Sequence, residues 1–287
     1  MHTQYLIQPE APQVPPYAAE QMAQGLAEQL AIFLFPLLVT LDRLLDKRLV
    51  RTFLQTIQVI ITYRDRVGGL LLSELGGYLL SPDKAPAGTK RLSNLLHSSR
   101  WTAHVVEDEL WQQADQQVER WREQGEDALA SWDSSEWEKP ESLASEDLCA
   151  VRSSKGKRLT HIKPGYYNPP GRPIFVPGLH WLAVIMVSRS AQLDPPLLAT
   201  MRWWSGRGAH ASFKRDEEGK LLVERLLVWG RAVVHIFDQG FASAFWLGVL
   251  LAFGLRFVLR WRADYQLYDA QGNRRKAWRI AIGKRGW

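Results

Sequence analysis

Apolar and polar positions divide the chain into two regions of different period. From Ala18 to about Arg122, apolar residues recur three and four apart, as at Leu41, Leu44, Leu45 and Leu49, without strand-type alternation. This predicts four or more helices. Pro82, Pro86 and Gly88 mark a break over 81–88, with further helices over Thr89–Leu96 and Trp101–Glu123. After Gly125, short apolar runs bounded by Gly, Pro and polar clusters predict strands at Ala128–Trp132, Leu179–Ser188 and Leu197–Trp204. A helix over Glu217–Trp229, a buried strand over Ala232–Phe237, a helix over Ala242–Phe253 and a strand over Leu255–Trp261 follow. Consecutive strands followed by alternating helices and strands predict an α/β domain, a mixed sheet with early antiparallel strands, later parallel ones and flanking helices.

Two apolar runs raise the question of a membrane. Leu30–Leu41 is 12 residues long and Phe241–Leu255 is 15, both short of the roughly 20 that a spanning helix needs, so each reads as buried structure. The segment from Met1 to Pro16 has no basic stretch ahead of an apolar run and is punctuated by Pro9, Pro12, Pro15 and Pro16. It reads as a loose arm rather than a leader. The single Cys149 cannot pair within the chain, which excludes a disulfide framework and fits a cytoplasmic protein. At 287 residues, 46% hydrophobic and 23% charged, the chain can form one large domain or two smaller ones.

The net charge of +6 hides an asymmetry. Residues 105–150 carry 14 acidic and 3 basic groups, or −11, whereas residues 151–252 carry 14 basic and 6 acidic, or +8, and residues 253–287 carry 9 and 2, or +7. Basic surface following a carboxylate-rich segment suits a polyanion partner beside a site that gathers acids. The simpler account is a solvated acidic helix over Val105–Asp127. The connection from Arg152 to Pro177 carries Arg152, Lys155, Lys157, Arg158, Lys163 and Arg172 and no acid.

Two aspartates stand where ligand groups gather in open α/β sheets, at the carboxyl ends of strands. Asp133 closes the run Ala-Leu-Ala-Ser-Trp-Asp, and Asp238 closes Ala-Val-Val-His-Ile-Phe-Asp before Gln239-Gly240 and a new helix. Brought together, two carboxylates repel; a raised pKa or a bound hard cation such as Mg²⁺ relieves the repulsion. Either residue would equally serve as a helix cap or turn residue.

The stretch Trp132-Asp133-Ser134-Ser135-Glu136-Trp137-Glu138-Lys139-Pro140-Glu141-Ser142 resembles the first catalytic block of bacterial insertion-sequence DDE transposases, a strand-end Asp followed by a Ser-containing turn and Glu-Lys-Pro. Phe237-Asp238-Gln239-Gly240-Phe241, leading through an apolar helix to Leu255-Arg256-Phe257-Val258-Leu259-Arg260-Trp261-Arg262, resembles their second block. The resemblance covers about residues 85–287. It implies an RNase H-like fold with Asp133 on the first strand and Asp238 on the fourth, and a third acid, a Glu on a later helix beyond a mostly β insertion. No Glu follows Glu224, and Asp264 and Asp269 fall in a polar turn, so the third ligand is missing and the chain reads as cut off at the start of that insertion. The implied organisation is a Pro-rich arm over 1–17, a helical DNA-binding region over 18–124, a partial RNase H-like core over 125–262 and the start of the insertion over 263–287.

In that family two Mg²⁺ ions about 3.5–4 Å apart activate the attacking oxygen and stabilise the leaving one. The resemblance therefore implies Mg²⁺ or Mn²⁺ as cofactor, held by Asp133 and Asp238, and double-stranded DNA at transposon ends as partner, with a second copy of the chain also considered. Cleavage and strand transfer without the third carboxylate are expected to be weak. Phosphate contacts are expected from the Arg152–Arg172 loop and from Arg256, Arg260, Arg262, Arg274, Arg275 and Lys276. Trp203, Trp204, Trp261 and Trp278 could stack on unpaired bases, although Trp203 and Trp261 fit a sheet core better. His161, His180, His210 and His235 show no metal-ligand spacing with one another or with Cys149. A non-catalytic DNA-binding protein or repressor derived from a transposase, acting through its helical region, is the alternative, and a membrane-associated protein is the third.

Overall fold

The computed structural model describes residues 16–63, 71–140, 142, 145–153, 174–189, 195–209, 211–268 and 271–282. Lys155, Lys157, Arg158, Lys163 and Arg172 of the basic loop, most of the N-terminal arm, His161, His210 and Asp269 lie outside the described residues. The chain divides into two compact units within one helix, between Glu109 and Leu110, upstream of the 124/125 boundary read from the sequence.

The first unit is helical: α1 (Pro16–Leu44), α2 (Lys47–Thr62), α3 (Leu72–Leu79), α4 (Ala85–Leu96) and the start of α5 (Ala103–Glu123). Asp46 caps α2 by accepting from the amides of Arg48 and Leu49. Leu34, Leu37, Leu41, Leu45 and Leu95 form its core, at the spacing the sequence periodicity requires. Gly88, read as part of a break, lies inside α4 instead. A Cβ on Gly88 would collide with the backbone of Gly76, and one on Gly76 with the backbone of Thr89, so the close crossing of α3 and α4 requires glycine at both.

The second unit takes in the rest of α5 and then β1 (Ala128–Glu138), β2 (Cys149–Arg152), β3 (Phe175–Ser188), β4 (Leu197–Trp204), α6 (Lys214–Trp229), β5 (Val233–Phe237), α7 (Ala244–Ala252), β6 (Arg256–Leu259), β7 (Gln266–Tyr268), β8 (Arg274–Lys276) and α8 (Ala277–Ala281). β3 pairs antiparallel with β1 on one side, and with β4 and then β2 on the other. β5 runs parallel to β1, and β6 parallel to β5. The long strands thus stand in the order β4-β3-β1-β5-β6, a three-strand antiparallel meander extended by two parallel strands reached through α6 and α7. This is the expected mixed α/β sheet and RNase H-like topology. β7 and β8 form a separate two-stranded antiparallel sheet.

One face of the large sheet is the core. Ala128, Ala130 and Trp132 of β1, Val184 and Met186 of β3, and Val233 and Phe237 of β5 meet Trp121 of α5, Leu221 and Leu222 of α6 and Leu250 of α7. The opposite face exposes Trp137, Ile185, Met201, Trp203 and Val258. Among the described residues no helix is long and apolar enough to cross a membrane.

Candidate functional site at the strand ends

The ends of the parallel strands are set by register. Trp132 of β1 is level with Phe237 of β5, and Phe237 is level with Leu259 of β6. The next residues along each strand are Asp133, Asp238 and Arg260. Because side chains alternate along a strand and Trp132 faces the core, Asp133 belongs to the opposite face of β1. Asp133 on β1, and Asp238 and Arg260 immediately past the ends of β5 and β6, therefore stand at one level of the sheet. The Arg260 amide fixes that level by donating to the Phe237 carbonyl at 3.0 Å. Asp133, Asp238 and Arg260 are all exposed.

Asp133 does not end its strand. β1 continues to Glu138 because β3 is long enough to pair with it down to Gly178, so Ser134–Glu138, read as a turn, is strand, and Glu136 and Glu138 lie on it. What ends at Trp132 is the parallel pairing with β5. The two aspartates differ in local role. Asp238 accepts from the Gly240 amide at 2.8 Å and caps the short turn Gln239–Phe241, realising the cap reading that its sequence context allowed. Among the described residues no hydrogen bond or ion pair holds the Asp133 carboxylate.

A third acid, marked by no motif, lies close by. Glu218 on α6 turns inward with Leu221 and Leu222, and its side chain is 5% exposed. Burial pushes its carboxyl above the usual range; Lys214 and the Ser134 hydroxyl oppose the rise, and the charge of Asp238 adds to it. Lys214 Nζ stands 3.6 Å from Glu218 Oε1, an atom otherwise without a hydrogen-bond partner. Among the described residues no three His, Cys, Asp or Glu side chains are arranged to hold a metal as they stand. The donors at the strand ends are carboxylate oxygens, the type a hard divalent cation takes, and Mg²⁺ commonly uses only one or two of them from protein.

The basic residues expected to meet phosphates separate into two groups. Arg256 donates to Asp127 at 2.8 Å and holds that carboxyl below the usual carboxylate range, so its charge ties β6 to the start of β1. Arg262 pairs with Asp264 at 3.3 Å. Arg152, Arg260, Arg274, Arg275 and Lys276 are exposed. Of the aromatic candidates, Trp204 is buried at 6% exposure and Trp261 is half-buried, whereas Trp278 is exposed. Trp203, expected in the core, is instead 42% exposed because it faces the side of the sheet without packed helices. It lies 5.2 Å from the Trp137 ring and 6.1 Å from that of Trp181, with Lys139 Nζ 3.6 Å above Trp137, on the same face as Asp133. His180, without a spacing signal in the sequence, lies 3.8 Å from Glu136 and beside Cys149, whose Sγ donates to the Gly178 carbonyl at 3.5 Å. Burial raises the Cys149 thiol, but bonds from His180, Gly206 and Ser205 outweigh it and hold the thiol below its ordinary range.

No protein-family model matches the chain, and no curated protein matches its sequence. Among solved structures, the chain is similar to the crystal structure of the Mos1 strand transfer complex, at 12% identity over 70% of this chain and 56% of that one, with a TM-score of 0.22. It is similar also to a pre-cleavage Mos1 transpososome, at 10% identity over 70% of this chain and 58% of that one, with a TM-score of 0.20. The chain thus spans between 56% and 58% of the length of these structures' chains.

Proposed function

We propose that the chain is a DNA-processing protein of the DDE transposase class that acts on phosphodiesters at transposon ends, with Asp133 and Asp238 as its metal-binding carboxylates. The observation that supports this reading is the register of β1, β5 and β6, which brings Asp133 and the residues just past β5 and β6, Asp238 and Arg260, to one level, inside the two sequence blocks that resemble the family. Asp133 and Asp238 would hold Mg²⁺ or Mn²⁺, which when bound polarises a phosphate oxygen and lowers the pKa of a coordinated water. Arg260 would meet a phosphate by charge, and exposed Arg274, Arg275 and Lys276 would hold the duplex backbone without reading bases. With two carboxylates rather than three, cleavage is expected to be slow and DNA binding retained.

The alternative, a non-catalytic DNA-binding protein, draws support from the cap role of Asp238 and from the lack of a three-ligand cluster among the described residues. Nicking of supercoiled DNA in Mn²⁺ separates the two. The catalytic reading expects slow nicking that Asp133→Asn and Asp238→Asn each abolish while duplex binding stays intact. Nicking unaffected by these changes, or none above a no-protein control, leaves only the binding role.

A further inference from the structure

The first unit contains a cleft of about 760 Å³ between the start of α2 and the end of α4, lined by Arg48, Arg91, Arg100, His97, Asn94 and Ser99 among others. Among the described residues its cations lack acidic partners. Arg91 is half-buried, and its Nη2 donates only to neutral acceptors, Thr52 Oγ1 at 3.3 Å and Gln55 Oε1 at 3.1 Å. Arg48 and Arg100 are exposed, and among the described residues neither pairs with a carboxylate. The one acid in the wall, Asp46, is engaged by the amides of Arg48 and Leu49 at 2.8 and 3.1 Å. His97 Nδ1 donates to the Ser93 carbonyl at 2.9 Å, which leaves Nε2 available. A half-buried guanidinium held in place by neutral groups is poorly compensated, and an anion completes it. Three guanidiniums around a cleft larger than a single phosphate suit consecutive groups of a backbone.

We propose that this cleft is a phosphate seat that takes the phosphodiester backbone of duplex DNA on Arg48, Arg91 and Arg100. The choice of DNA over a free phosphate rests on the function proposed above; the unpaired cations in the cleft do not. The seat positions the duplex by charge and reads no sequence.

The test uses the full chain and a short duplex of arbitrary sequence, with binding followed by anisotropy across a salt series. R48A/R100A is the main variant because both side chains are exposed, and R48K/R100K is the charge-preserving control. R91Q, checked by thermal melting, probes the half-buried member. The expected result is binding weakened at least about tenfold in R48A/R100A, with the magnitude of its log–log salt slope reduced by about 1.8, at about 0.9 per lost phosphate contact, and both largely restored in R48K/R100K. Unchanged affinity and slope in R48A/R100A at an unaltered melting temperature would overturn the proposal. Micromolar binding of inorganic phosphate or a mononucleotide to the cleft, without any loss of duplex binding in the variant, would overturn the assignment to DNA backbone. Mn²⁺ binding is measured on the same variants: if it is absent throughout but the slope falls as expected, the metal reading fails while the phosphate seat stands.

Discussion

Trp132→Ala is expected to destabilise the second unit by about 3–5 kcal/mol, the range for removing a large aromatic from a packed interior. Trp132 is 2% exposed on β1, the strand shared by the antiparallel and parallel halves of the sheet. Its ring lies 5.6 Å from that of Phe237, and its indole Nε1 donates to Nδ1 of His235 at 3.1 Å. Truncation therefore opens a cavity and strands a buried acceptor, two costs that add. Trp132→Phe keeps most of the apolar area and loses only the donor, so about 1–3 kcal/mol is expected. Urea denaturation with matched slopes measures both. Trp137→Ala, at an exposed position on the other face, is the control and is expected to change stability by no more than about 0.5–1 kcal/mol. Equal effects of Trp132→Ala and Trp137→Ala would contradict the assignment of core and open faces.

Between pH 7 and 4, acid is expected to destabilise the same unit chiefly through His235; Asp127 and Glu217, whose carboxyls are held below their ordinary range, add losses only toward the acid end. His235 is fully buried, and burial lowers its pKa from 6.5 to about 4. The hydrogen bond from Trp132 requires Nδ1 as an acceptor, and among the described residues Nε2 has no partner, so the neutral ring is the form the core accommodates. A base with a depressed folded pKa contributes stability that is complete above the unfolded value and lost as pH falls. Here the window runs from 6.5 down to about 4 and the loss is about 3 kcal/mol. Glu218 works in the opposite sense. Its raised pKa favours the fold below 4.5, and that contribution is lost as pH rises through the folded value. Urea midpoints at pH 7, 5.5 and 4 separate the two. In His235→Gln, which keeps an acceptor for the indole and cannot titrate, the acid-side slope is expected to flatten. A slope unchanged in that variant would place the acid sensitivity elsewhere.

Much of the fold was legible because it is written locally. The apolar runs at Ala232–Phe237 and Leu197–Trp204 each declare a strand through its own residues, whereas the spacing of Leu41, Leu44, Leu45 and Leu49 gives helix but hides the break after Leu44, where α1 ends and Asp46 caps α2. What was not legible depends on partners distant in the chain. β1 runs past Asp133 only because β3 supplies a partner that far. Gly88 looks like a breaker until α3 presents Gly76 to it. Trp203 has the side chain of a core strand residue, but which face the helices cover is set by α5, α6 and α7, not by β4 itself. At the site, both aspartates and Arg260 were named from their blocks, while their shared level follows from parallel register, which no local pattern encodes. Glu218 escaped notice because an acid on an amphipathic helix looks solvated until the helix packs with that residue inward.

The most direct measurement is Mn²⁺ binding by the purified full chain, followed by electron paramagnetic resonance titration and calorimetry. The account predicts Mn²⁺ binding that Asp133→Asn and Asp238→Asn each abolish, and that Asp264→Asn leaves intact because Asp264 is paired with Arg262. Binding that survives both strand-end substitutions, or no binding at millimolar Mn²⁺, would contradict it.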